Sequence, residues 1–187
     1  MYQIRKTETL VPVREIVKQD IHADKYIEYC RQCPNFGIKW SCPPYDFDVS
    51  SVWSRYADLN LIAVQIYFDE ALLKKTYSEQ ELNHIQNRCI EEVRIELDCE
   101  LLAMEQTTPG SLALYPGSCL LCDSCSRTRE MKCAHPNQMR FSIESLGGDV
   151  SALTEKYFGI ELKWAKSGTL PEYLTLVCGL LCEKNHG

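Results

Sequence analysis

The sequence predicts an α+β fold, a small mixed sheet with helices on one face and cysteine-rich loops at its edge. Three observations carry that prediction. A β-branched and aromatic run, LNLIAVQIYF at 59–68, has the length and composition of a buried strand. Apolar residues at helical spacing follow it over 78–104. Two polar, proline-punctuated cysteine clusters interrupt the regular pattern, at about 26–48 and 117–140. The expected order is β-α-β, cysteine loop, α-β-β, within a single domain spanning 1–187.

Taken in order, residues 5–24 mix Val11, Val13, Ile16, Val17 and Ile21 with charges. Pro12 restricts helix before it, so a short helix is expected after it. Three prolines and a glycine over 29–45 then exclude regular structure, and the backbone there must wrap around something. After the strand at 59–68, Asp69 and Glu70 close it. Ser78 and Glu81 have the spacing of a capping box, and Leu82, Ile85, Cys89, Val93, Leu97 and Leu101 form one helical stripe. Pro109 and Gly110 end that helix, and 111–115 reads as a second strand that runs directly into the next cysteine loop. Over 142–158, two short helical turns flank Gly147 and Gly148, with Asp149 as the N-cap of the second and Gly159 as its stop. Residues 160–164 alternate apolar and polar like a strand, and 173–181 supplies a last one.

A chain of 187 residues that is 45% hydrophobic can bury a core without a metal to organise it. Residues 1–9 lack the apolar run of an export signal, and no apolar stretch reaches the ~18 residues of a membrane span. A cytoplasmic protein with no membrane association is therefore expected. A formal charge of −6 disfavours docking on nucleic-acid phosphates. Eleven cysteines in a reducing compartment point to metal binding, and an odd number cannot pair completely within one chain.

The strongest signal is Cys119-x2-Cys122-x2-Cys125, with Cys133 eight residues on and Pro136 after it. Three thiols at intervals of three can each reach a different iron of one cubane, leaving the fourth iron to a later cysteine. A single zinc ion more often takes one C-x2-C pair from each of two separate knuckles, so the tandem favours a four-iron four-sulfur cluster, with zinc as the alternative. Ser118, Ser124 and the loop amides are candidate hydrogen-bond donors to cluster sulfur, and His135 is a candidate for tuning or ligation set against a plain surface role. The first loop, Cys30-x2-Cys33-x8-Cys42-Pro43-Pro44, is a candidate for a second centre, with Phe36, Trp40 and Tyr45 as its shield from water. No fourth cysteine is local there. Cys178, Cys182, His22, Cys89, Cys99, a non-protein ligand or an open iron site all stand as candidates. Of these, Cys89 belongs to the helical stripe and is expected in the core, and Cys99 lies off it as a free thiol.

The first loop, C-x2-C-P-x-F-G-x2-W-S-C-P-P-Y, and the second, G-S-C-x-L-C-x2-C with C-x2-P and then R-F-S-I-E-S-L-G-G-D-V, resemble the domain-of-unknown-function 2284 family, described as predicted metal-binding proteins. The resemblance implies metal binding of iron–sulfur type and carries no reaction with it. It covers about 30–45 and 117–150, and Cys178 and Cys182 lie outside it.

Three function classes remain. A cluster held by four cysteines has no vacant iron and suits one-electron transfer to a redox partner protein or a redox cofactor, as a carrier or accessory subunit. An enzyme using an open-site cluster on the first loop is the second class. A structural-zinc or metal-handling protein is the third. The sequence has no dinucleotide loop, phosphate loop, zinc-protease motif or nucleophile elbow. Arg140, Ser142, Glu144 and Asp149, soon after the cluster loop, are expected to dock that loop on the fold.

Overall fold

The computed structural model describes residues 2–166 and 168–183. Its frame is a four-stranded sheet in the order β1-β2-β4-β3, made of β1 (Tyr2–Pro12), β2 (Tyr56–Phe68), β3 (Leu112–Leu114) and β4 (Tyr173–Glu183). The α+β class is as predicted. Every adjacent pair is antiparallel, so the sheet is not mixed in its pairing. The expected β-α-β unit is nevertheless present in split form. The long helix α5 (Glu79–Thr107) joins β2 to β3, which run parallel with β4 inserted between them.

Helices cover both faces of the sheet rather than one, because the two central strands are apolar at odd and even positions alike. Ile62, Val64, Ile66 and Phe68 of β2 and Leu174, Leu176, Cys178 and Leu180 of β4 pack with the α5 stripe of Leu82, Cys89, Val93, Leu97 and Leu101. Leu59, Leu61, Val177 and Leu181 face the other way. There they meet Val13 and Ile16 of α1 (Val13–Gln19), Trp53 of α3 (Val49–Trp53) and Leu153 of α6 (Val150–Phe158). A strand buried on both faces loses the period of two, and β2 reads as a continuous apolar run for that reason. The remaining helices are α2 (Ala23–Arg31), which carries Cys30, and the short α4 (Glu70–Leu73).

The capping box at the start of α5 is present. Ser78 Oγ accepts from Glu81 N at 3.3 Å, and Glu81 Oε2 accepts from Ser78 N at 2.8 Å. Asp149 caps α6 by accepting from Ala152 N at 2.9 Å, and Gly159 ends it at φ +65°.

Three local expectations change. Helix α2 runs to Arg31 and so enters the 29–45 stretch where no regular structure was expected, because the first proline there is Pro34. The charged N-terminal stretch is a full-length edge strand, paired with β2 from Tyr2↔Phe68 to Pro12↔Asp58. Residues 160–164 do not pair with the sheet. Ile160 instead packs on Ala63 and Tyr173, and Glu161 O accepts from the Tyr173 hydroxyl at 3.0 Å, so this stretch lies across a face. No helix among the described residues is long and apolar enough to cross a membrane.

Candidate metal centre

The second cysteine loop leaves β3 through Tyr115, Pro116 and Gly117, and α5 fixes it from below. The Arg94 guanidinium donates to Ser118 O. Farther along, the Arg140 guanidinium grips both oxygens of Glu105, through Nε to Oε2 at 2.6 Å and through a second nitrogen to Oε1. Ala113 N donates to the same Oε2 at 2.6 Å, and Asn137 O and Met139 O accept from Arg140. The pair is largely buried, with side-chain exposures of 11% and 15%. The docking role expected for Arg140 is therefore filled through Glu105, a partner thirty-five residues upstream that no local pattern marks.

Within this frame Cys119, Cys122, Cys125 and Cys133 line one small cavity, together with Ser126, His135 and Met139. Lys39 and Trp40 of the first loop complete its wall. His135 is thus both exposed and at the cavity, which keeps it beside the thiols. The thiols stand around the cavity. Among the described residues no three cysteine, histidine or acidic side chains converge tightly enough to hold a single ion.

The two loops form one unit. The Arg127 guanidinium donates to Lys39 O at 2.9 Å, Cys42 O at 2.6 Å and Pro44 O at 2.5 Å, and it stacks 5.1 Å from the Trp40 ring. In return Lys39 Nζ donates to Cys119 O at 2.8 Å, Trp40 Nε1 to Met131 O at 3.1 Å, and Cys119 N to Ser41 Oγ at 3.0 Å. Ser118 Oγ accepts from Asn35 and Lys39, both at 3.3 Å, so this hydroxyl joins the two loops and keeps its own proton to donate. Trp40, a candidate shield of the first loop, lines the cavity of the second.

Burial pushes the Cys119 thiol up, against the opposing pull of the Leu121 amide and Lys39. Burial likewise raises Cys42, where the Ser41 hydroxyl pulls the other way, and Cys30, where the charges of Cys42, Cys33 and Glu144 add to the rise. Each of these thiols favours its proton until a metal replaces it, which couples loading to proton release. Of the three first-loop thiols, Cys30 and Cys42 are half-buried and Cys33 is exposed.

The candidates for a further ligand there sort differently. Cys89 of α5 and Cys178 of β4 are buried in the core between that helix and the sheet, and Cys182 packs at its margin. Cys99 is exposed on α5. His22 immediately precedes α2 and bonds Gln19 O through Nε2 at 2.9 Å.

A family model described as "predicted metal-binding protein (DUF2284)" matches residues 14–182. The chain belongs to this family. The match spans both cysteine loops, β2, β3 and all but the last residue of β4, and it leaves out β1, so the two loops are parts of one family fold. No curated protein and no solved structure matches it.

Proposed function

We propose that this DUF2284 protein is an iron–sulfur protein, with a four-iron four-sulfur cluster bound by Cys119, Cys122, Cys125 and Cys133, acting in electron transfer or as a redox accessory subunit. The observation that carries the reading is the shared cavity: four thiols of one tandem run, at intervals that let each reach a different iron of a cubane, line it together. Such an arrangement suits a body containing several metal atoms better than one ion. Bound there, the cluster would supply reversible one-electron chemistry.

The chain's own residues would set how readily that chemistry runs. Lys39 and Arg127 bring positive charge to the cavity wall and its rim, which favours the more reduced, more negative state. Trp40 excludes water from one side. Around the cavity the loop tips expose Ile38, Leu120, Leu121 and Met131, at 37–57% of their surface. An apolar rim of this kind offers a redox partner protein a landing surface close to the thiols.

The test is the iron and acid-labile sulfide content of anaerobically purified protein, read with its visible spectrum. Broad absorption that bleaches on reduction, with iron and sulfide in equal amounts, is expected. Colourless protein carrying zinc overturns the proposal in favour of structural-zinc or metal-handling chemistry.

A second reading gives the first loop a centre of its own, on Cys30, Cys33 and Cys42, with an iron free to bind substrate. The observation favouring it is the open cavity that Cys30 lines, beside the Cys30-x2-Cys33-x8-Cys42 run. Iron and sulfide for two clusters per chain, falling by one cluster in Cys42→Ala, would support it.

A further inference from the structure

Strand β1 forms one edge of the sheet. It pairs with β2 on one side over eleven residues without a bulge, and no described segment bonds to the backbone on its other side. Alternate N–H and C=O groups along that side therefore lack a backbone partner, which makes the strand a template for another. Edges are commonly blunted by shortness, a bulge or an internal proline, and β1 has none of these, since Pro12 is its last residue. Ile4, Lys6 and Glu8 stand opposite Ile66, Val64 and Ile62, which pack under α5, so the even-numbered residues lie on the α5 face. Lys6 reaches Glu100 of α5 on that face. Ile4 and Leu10 remain 49% and 63% exposed there, two large apolar side chains at the rim of the sheet.

The strand is complementary to itself. Laid antiparallel beside a copy with Thr7 opposite Thr7, its ends coincide, Tyr2 against Pro12. Ile4 then faces Leu10 of the copy and Lys6 faces Glu8, and two-fold symmetry makes each pairing occur twice. On the other face Arg5 falls opposite Thr9, so no like charges are directly opposed. A slip of two residues, the smallest that keeps the faces, opposes either Lys6 to Lys6 or Glu8 to Glu8. It also sets Ile4 against Glu8 or Pro12. A single register thus matches the apolar and the charged pairs together.

We propose that β1 pairs with β1 of a second copy of this chain, joining four strands from each into one antiparallel sheet with both α5 helices on the same face. The new ladder satisfies the outward backbone groups, and it withdraws Ile4 and Leu10 from water. Lys6 keeps Glu100 while reaching Glu8 of the copy, because an ammonium has three donors. A strand from another protein would have to present the same order of apolar and charged residues, so the charges select the chain's own copy. The second cysteine loop leaves the sheet from β3, at the opposite edge. The inference is therefore independent of which metal the cysteines hold.

The experiment is analytical ultracentrifugation of the full chain with its metal, purified anaerobically and kept reduced, over a wide range of micromolar concentrations. A monomer–dimer equilibrium is expected, with amide exchange over 2–12 slowing as the dimer fills. Lys6→Glu and Glu8→Lys each bring like charges together twice in the dimer, so each should weaken association about tenfold. The double variant restores both pairs and should restore association. Lys6 and Glu8 are exposed, and the exchange comparison needs no substitution, so it decides the matter even if a variant misfolds. A chain that stays monomeric overturns the proposal and leaves the edge to a strand of another protein. So does a dimer whose exchange over 2–12 ignores concentration, or one that the single charge reversals do not weaken or the double variant does not rescue.

Discussion

Replacing Glu105 by alanine is expected to loosen the second cysteine loop from the sheet before it affects any thiol directly. Glu105 accepts two hydrogen bonds from the Arg140 fork and one from Ala113 N, all at a pair only 11% and 15% exposed. Charge-assisted bonds contribute about 1.5–3 kcal/mol each, but simple addition would count the same guanidinium twice. Truncating one partner of a buried pair costs about 3–5 kcal/mol, and slight water access here favours the lower end, roughly 3 kcal/mol. For a chain of this size, that corresponds to a fall in melting temperature of about 6–12 °C. The assay is thermal and urea unfolding of Glu105→Ala, Arg140→Met and the double variant. The double variant should recover part of the loss, because no unpaired guanidinium remains. Amide exchange over 113–140 should accelerate in Glu105→Ala while the β1–β2 ladder stays protected. A loss below about 1 kcal/mol, with exchange unchanged, would refute the claim that this pair holds the loop.

Other perturbations separate ligand from core. Cys125→Ser should strip most metal from the second loop, whereas Cys89→Ser should leave metal content unchanged and lower only the melting temperature; metal analysis of the two variants checks this. Gly147→Ala should cost on the order of 3 kcal/mol in urea unfolding, from left-handed backbone strain and the clash with Ala23 together. Burial pushes the Asp98 carboxyl up from 3.8 to about 6, against the pull of Arg94. The folded state therefore binds this proton more tightly than the unfolded chain. Its stabilising contribution is complete below the unfolded value near 3.8 and is lost as pH rises through about 6. Asp98→Asn should accordingly match the parent near pH 4 and exceed it in stability at neutral pH, by on the order of 1–3 kcal/mol, in melting curves across that range.

What the sequence made legible follows from where each signal originates. The α5 stripe and its capping box, the apolar run of β2 and the Asp149 cap are written in neighbouring residues, and all are present. Edge strand β1 left no such mark. It is held by ladder bonds to β2, and its sequence around Arg5, Lys6, Thr7, Glu8 and Thr9 is set by solvent and by pairs such as Lys6 with Glu100. The alternation at 160–164 misled for the opposite reason. Alternation reports one buried side, and Ile160 is buried against a sheet face without the segment joining the ladder.

The candidate centre was legible in its thiols and not in its walls. Cysteine spacing is a local property, so 119–133 could be read directly, whereas Lys39 and Trp40 reach that cavity from about eighty residues away in sequence. The same distance explains why the loops looked like two sites. Arg127 lies in the second loop, yet three of its hydrogen bonds end on backbone oxygens of the first, one of them on Cys42 itself. Backbone acceptors leave no trace in side-chain identity, and an arginine among cysteines reads only as polarity. The physical consequence is a direct mechanical link between the loops. Arg127→Ala removes the clamp on Lys39, Cys42 and Pro44 while leaving every thiol in place. If the second loop relies on its borrowed wall, that variant should expose the cavity and speed metal loss to a chelator. Unchanged metal retention would instead show that the thiols of 119–133 hold their site without the first loop.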